Sequence, residues 1–347
     1  MRREKATGTV PPSDERILLS HGAGGSLMHE LIEKVFFGAF DNAVLRRAED
    51  SAVVEQGGTR LAFTVDSYVV SPLFFPGGDI GKLAVCGTVN DLCMVGARPQ
   101  FLGVSFILEE GLSAEVLRTI AQSAGETARE AAVEIVCGDT KVVGKGAVDQ
   151  AFVTTCGVGT VPSGVDISAS NARPGDKIIL SGSLGDHEIA ILSAREGLPF
   201  SGNVASDCAP LSGAVAALLA EGTPVHALRD PTRGGLASAL NEIARLSNVA
   251  MEIHESAIPV RPEVAEACEI LGFDPLYLAN EGKFVAFVSA EHADAALGRL
   301  RAVGCAAQAA IIGEVAGHGL PHVTLITSVG GRRIVDVAAG TQLPRIC

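Results

Sequence analysis

The strongest constraint on this chain is its alternation of short apolar strand runs with longer helical stretches, played out twice around a break at 161–171. Between about 41 and 160 the order reads strand, strand, helix, strand, helix, strand, strand. Residues 60–66 and 101–108 have the β-branched and aromatic content of strands, and 148–158 has their near-continuous hydrophobicity. Asp79 can N-cap a helix to about 95 and Ser113 another to about 132. The break is polar and punctuated by Gly, Pro and Ser, and the turn Arg173-Pro174-Gly175-Asp176 leads into a strand at 177–180. Beyond it, helices are expected at 186–196, 207–221, 235–247, 262–271 and 293–303, with strands at 250–254, 283–289, 309–313 and 323–326. This pattern predicts an α/β chain of the α+β type in four parts: an arm with a Gly-rich segment (1–40), two domains (41–162 and 163–335), and a mobile tail (336–347).

Composition removes several classes of function. The 347 residues carry 27 Lys plus Arg against 40 Asp plus Glu, a net charge of −13, which argues against a nucleic-acid partner. No apolar run approaches the ~18–20 residues of a membrane span, and the basic start lacks a following apolar segment, so a cytoplasmic location is expected. None of the eight cysteines forms a C-x-x-C pair, and reduced thiols are expected, with Cys156 in an apolar strand pattern.

Five acidic residues are read at turns or element ends: Asp50, Asp66, Asp91, Asp139 and Asp230. Hard oxygen donors scattered in sequence and gathered in space suit Mg²⁺, which takes phosphate oxygens and water to complete its shell. The alternative for each is a helix or turn cap. Gly22, Gly24 and Gly25 ahead of a helix at 27–37, and Gly234-Gly235 ahead of another, can present backbone N–H groups to a phosphate. They match neither a Walker loop nor G-x-G-x-x-G, and a flexible lead-in would look the same. Cys347 is the last residue: a thiol there can enter a pocket, react and leave, or it can be inert. Its neighbouring α-carboxylate disfavours the thiolate, so activation would have to come from the receiving pocket, and Pro344 restricts how the tail is presented.

These pieces resemble the HypE hydrogenase maturation factors, carbamoyl dehydratases within the aminoimidazole ribonucleotide synthetase-like (PurM-like) superfamily. The resemblance is carried by Leu18-Leu19-Ser20-His21-Gly22-Ala23-Gly24-Gly25, Thr64-Val65-Asp66-Ser67-Tyr68, Asn90-Asp91-Leu92, Gly138-Asp139-Thr140-Lys141, Asp230-Pro231-Thr232-Arg233-Gly234-Gly235, Asn280-Glu281-Gly282 and the ending Pro344-Arg345-Ile346-Cys347. It implies a two-domain PurM-like fold and a homodimer made through the strands of the first domain. It further implies that the carbamoyltransferase HypF loads the terminal Cys, that ATP with Mg²⁺ drives dehydration of the thiocarbamate to a thiocyanate, and that the cyano group passes to iron on a HypC–HypD complex.

By the same resemblance Asp50, Asp66, Asp91 and Asp230 serve the metal. Gly22, Gly24, Gly25, Asn90, Asp139 and Thr140, together with Asp50, Asp66 and Asp91, serve the nucleotide. Cys347, Glu281 and Lys141 carry the chemistry, with Lys141 and Glu281 near the tail's reactive end. Ser26 stands where many relatives have a basic residue. Glu188 stands where Gly is common, a change expected to affect only a helix start. The rivals are a selenophosphate synthetase or thiamine monophosphate kinase, which need no terminal Cys, a non-catalytic carrier of the carbamoyl group, and an acidic scaffold.

Overall fold

The computed structural model of the chain describes residues 16–22, 24–197, 204–337 and 346–347. The expectations of a mobile tail and of a Pro344 restraint therefore fall mostly outside the described residues. The arm forms helix α1 (Ser26–Leu31), a π-helical stretch Ile32–Phe37 and a last turn, α2 (Gly38–Phe40). Strands β1 (Ala52–Gln56) and β2 (Thr59–Tyr68) follow, then the hairpin β3 (Phe74–Phe75) and β4 (Gly78–Asp79), and helix α3 (Ile80–Met94). Asp79 caps α3 as expected, its carboxylate accepting from the N–H groups of Gly81 at 2.7 Å and Lys82 at 3.2 Å.

Next come β5 (Arg98–Glu109), α4 (Ala114–Glu130), β6 (Glu134–Val143) and β7 (Ala151–Thr160). The five long strands form one sheet in the order β1-β2-β7-β5-β6. Only β5 and β6 run parallel, as the intervening helix α4 allows. Helices α3 and α4 cover one face of this sheet. On β2 the alternation leaves Ala62, Thr64 and Tyr68 buried and Phe63 and Val65 exposed, so the other face is uncovered.

The second unit runs β8 (Lys177–Leu180), α5 (Asp186–Glu196), α6 (Ser212–Leu219), β9 (Val225–Arg229), α7 (Gly235–Ser247), β10 (Val249–His254), α8 (Pro262–Leu271), β11 (Val285–Val288), α9 (Ala293–Arg301), β12 (Ala310–His318), β13 (His322–Ile326) and β14 (Arg332–Val335). Its seven strands order as β14-β13-β10-β12-β8-β11-β9. Helix α6 is shorter than the pattern predicts, because the backbone ahead of it is drawn elsewhere: Asn90 takes the Leu211 N–H at 2.8 Å, and Asp207 pairs with Lys283 at 3.1 Å. The units share a core in which Val85, Val89 and Cys93 of α3 meet Leu211, Ala214 and Leu218 around α6 and Phe284 beside β11. Full burial of Phe284 alone contributes about 2–3 kcal/mol relative to exposure. Among the described residues no helix is long and apolar enough to cross a membrane.

Candidate active site

The cleft at the junction of the units, about 1870 Å³, is lined by Asp50, Asp66, Asp91, Asp230, Glu281 and Cys347. Period-two spacing on β2 turns Thr64, Asp66 and Tyr68 to one side, where they meet α3. The Thr64 hydroxyl donates to Asp91 Oδ2 at 2.9 Å and also lies 3.1 Å from the Asp50 carbonyl. The Tyr68 hydroxyl donates to Asp66 Oδ2 at 3.2 Å. Residue 87 must be Gly for this, since a Cβ there would stand 2.2 Å from the Tyr68 oxygen.

From the second unit, Arg229 at the end of β9 reaches Asp50 Oδ1 at 3.1 Å and also pairs with Glu242 on α7. Burial raises the Glu242 carboxyl, but the His29 hydrogen bond and the Arg229 charge outweigh it and hold the group at about 2. His29 Nε2 lies 3.3 Å from Glu242, so this ion-pair cluster also ties down α1 of the arm. The glycine segment rests on Arg233: its Nη1 donates to the Gly22 carbonyl at 2.9 Å. Gly24 has φ +76°, and a Cβ there would lie 2.8 Å from Arg233 Cβ. Gly25 caps α1 through its carbonyl, which accepts from Met28 and His29 N–H.

Cys347 lines the same cleft, and Ile346 is buried in the apolar cluster beside it. Arg233 Nε donates to Cys347 Sγ at 3.1 Å, and the Ile346 carbonyl lies 2.7 Å from His187 Nε2. Burial raises the Cys347 thiol to about 12; Arg233 opposes this while Glu281 and Asp66 add to it. Glu281 is buried with Oε1 unpartnered, and burial together with the nearby Cys208 and Asp230 pushes its carboxyl well up. Its backbone N–H donates to Asp207 Oδ1 at 3.1 Å, and Asn280 beside it spends both amide donors on the Pro231 and Leu278 carbonyls.

The donor set fits a divalent cation shared with phosphate. Burial and mutual repulsion raise Asp50, Asp91 and Asp230, the last to about 6, and burial raises Asp66, so the carboxylates stand short of positive charge. Asp50 Oδ2 is buried and unpartnered. Among the described residues no group of three or more His, Cys, Asp or Glu side chains is placed to hold a metal ion by itself.

Four expectations need correction. Asp139 is not at an element end but in the middle of β6, where it pairs with Lys141. Neither Lys141, Asp139 nor Thr140 lines the cleft of its own chain: all three are exposed on a strand paired only with β5. Asn90 is a strut rather than a free ligand group, because its amide donates to the Ala209 and Glu281 carbonyls, both at 3.1 Å, and accepts from Leu211. Glu188 does more than start a helix: its Oε2 accepts from the Ala279 N–H at 2.7 Å, two residues before Glu281.

Residues 48–161 match the family AIR synthase related protein, N-terminal domain, and residues 173–326 its C-terminal domain. The chain is 53% identical over 333 residues to the carbamoyl dehydratase HypE of Rhizobium leguminosarum bv. viciae, covering 96% of this chain and 95% of that one. This chain belongs to the HypE family. A HypE chain solved in a HypE–HypF complex has TM-score 0.85 and 49% identity, covering 89% of this chain and 99% of that one. A HypE solved in complex with ATP has TM-score 0.81 and 48% identity, covering 96% and 100%. Against this HypE architecture, sequence reasoning missed Arg233, Arg229 and Glu242 as cleft residues and His187 as a buried partner of the Ile346 carbonyl. Arg233 lay inside a quoted motif and His187 beside Glu188, but nothing in their spacing says that they touch the tail.

Proposed function

We propose that this chain is an ATP-dependent carbamoyl dehydratase that acts on a carbamoyl group carried by its own Cys347. The observation that carries this reading is the terminal thiol seated on Arg233 in a carboxylate-lined cleft, with the unpartnered Oε1 of Glu281 lining the same space. The amide oxygen attacks the γ-phosphorus of ATP, ADP leaves, and the C–O bond then breaks to release phosphate. The nitrogen loses two protons as the thiocyanate forms. A divalent cation held by Asp50, Asp66, Asp91 and Asp230 would neutralise the triphosphate oxygens during the transfer. Gly22, Gly24 and Gly25 are proposed to cover the nucleotide with backbone N–H groups. Glu281, whose Oε1 has no protein partner, is proposed to accept a proton from the amide nitrogen.

The raised Cys347 thiol supports separate places for loading and dehydration. In this cleft the free thiol stays protonated and is a poor nucleophile, whereas a carbamoylated sulfur is already neutral. Loading by a HypF carbamoyltransferase would therefore take place outside the cleft, as would transfer of the cyano group to iron on a HypC–HypD complex. We also read the protein as a cytoplasmic homodimer, with 41–162 as the nucleotide and dimer domain and 163–335 as its complement. Asp139 and Lys141 stand in register with Ser105 and Ile107 on the uncovered sheet face, so Lys141 is proposed to act on the cleft of a second copy.

The test uses carbamoylated protein, ATP and Mg²⁺, with mass spectrometry of the C-terminal peptide. Loss of one water with ADP release is expected; neither would be seen if the protein were only a carrier. Glu281→Gln should keep ATP binding and stop the water loss, and full conversion in that variant would remove Glu281 from the mechanism.

A further inference from the structure

His187 is completely buried at the start of α5, and neither the motifs nor the proposed chemistry assigns it a role. Its partners fix its tautomer. The Ile346 carbonyl can only accept, so Nε2 at 2.7 Å must carry the hydrogen. In the neutral ring Nδ1 is then the acceptor, and the Ser206 hydroxyl donates to it at 2.8 Å. Ser206 Oγ in turn accepts from the Cys208 N–H at 3.1 Å. The order is therefore directional: Cys208 N–H to Ser206, Ser206 to His187, His187 to the carbonyl one residue before the reactive thiol.

The anchor of this chain comes from the other unit. The Ser206 N–H donates to the Pro76 carbonyl at 2.7 Å, between β3 and β4, and Phe75 of β3 meets the imidazole edge-on, with ring centroids 5.6 Å apart. Burial lowers the His187 pKa, with Asp207 opposing, and this keeps the ring neutral and the direction of the bonds defined. Among the described residues the Ile346 carbonyl has no other hydrogen-bond partner, and Ile346 itself is buried, so a tail docked without this donor would leave a polar group unpaired.

We propose that His187 is a positioning residue that docks the terminal dipeptide, using its Nε2–H on the Ile346 carbonyl to hold Cys347 against Arg233. The proposal rests on the reading of Cys347 as the substrate-bearing residue, but docking itself can be measured without the reaction. Full-length protein is treated with iodoacetamide, and labelling of each cysteine is followed by peptide mass spectrometry. His187→Phe keeps a ring beside Phe75 and removes the donor, whereas His187→Gln restores an N–H. Labelling of Cys347 should rise about tenfold in His187→Phe and return toward wild type in His187→Gln, while buried Cys86 and Cys93 react no faster in either.

A wild-type labelling rate at Cys347 in folded His187→Phe overturns the proposal. If His187→Phe also opens Cys86 and Cys93, Ser206→Ala decides: it removes the hydrogen bond that holds the imidazole through Nδ1, and faster labelling of Cys347 supports the latch while an unchanged rate overturns it. Dehydration is read separately on the carbamoylated protein. Faster labelling with undiminished nitrile formation supports the latch and places the error in the assignment of this cleft as the site of reaction.

Discussion

At Glu188 a carboxyl is held in the interior, where burial raises it from 4.5 to about 7 against the Ala279 N–H and the Arg195 charge, which lower it. The folded chain keeps a proton there that the unfolded chain releases. The stability this provides is full below about pH 4.5, is lost as pH rises to about 7, and is flat above. Glu188→Gln keeps an acceptor for Ala279 and removes the loss. Urea unfolding at pH 5 and pH 8 should show the variant gaining roughly 3 kcal/mol more over wild type at the higher pH; an equal difference at both would contradict the assignment. Residue identity alone marked Asp50, Asp66, Asp91, Asp139, Asp230 and Cys347, because carboxylates beside Gly and a terminal thiol are unusual in themselves, whereas Glu281 was marked only by the family resemblance. Arg233 and His187 stayed hidden because their roles depend on where the chain end returns, and that is a tertiary fact.

Helix starts were the legible elements, two of them marked by a capping side chain and the third by a glycine pair. Asp79 and α3, Ser113 and α4, and the start of α7 at Gly235 all fall where the pattern puts them. The failures occur where hydrogen bonds from elsewhere override local preference, as at 207–211, and in the reading of Asp139 at an element end, since it lies inside β6. Two α3 substitutions separate local from tertiary stabilisation. Asp79→Ala removes a cap and should cost about 1 kcal/mol. Asn90→Ala strands the Ala209 and Glu281 carbonyls and the Leu211 N–H at the junction of the units, and should cost about 3 kcal/mol. Thermal unfolding of the two variants measures this order, and equal losses would mean that Asn90 is no strut.

For the whole molecule, the two units are bound by shared apolar cores, which sequence alone could not indicate because the alternation reads as two domains. The open sheet face bears a row in register, Phe63, Val158 and Phe101, with Val65 beside it, and apolar rows of this kind are covered in stable proteins. Sedimentation should give twice the chain mass for wild type and the single chain mass for Phe63→Asp with Val65→Asp; a monomeric wild type would leave Lys141 without a cleft to serve. The central claim is that ATP removes the oxygen of a carbamoyl group carried by the last residue, and its most direct measurement is the fate of that oxygen. With ¹⁸O in the carbamoyl group of Cys347, the label should appear in inorganic phosphate as the thiocyanate forms. Unlabelled phosphate accompanying thiocyanate formation would contradict the account.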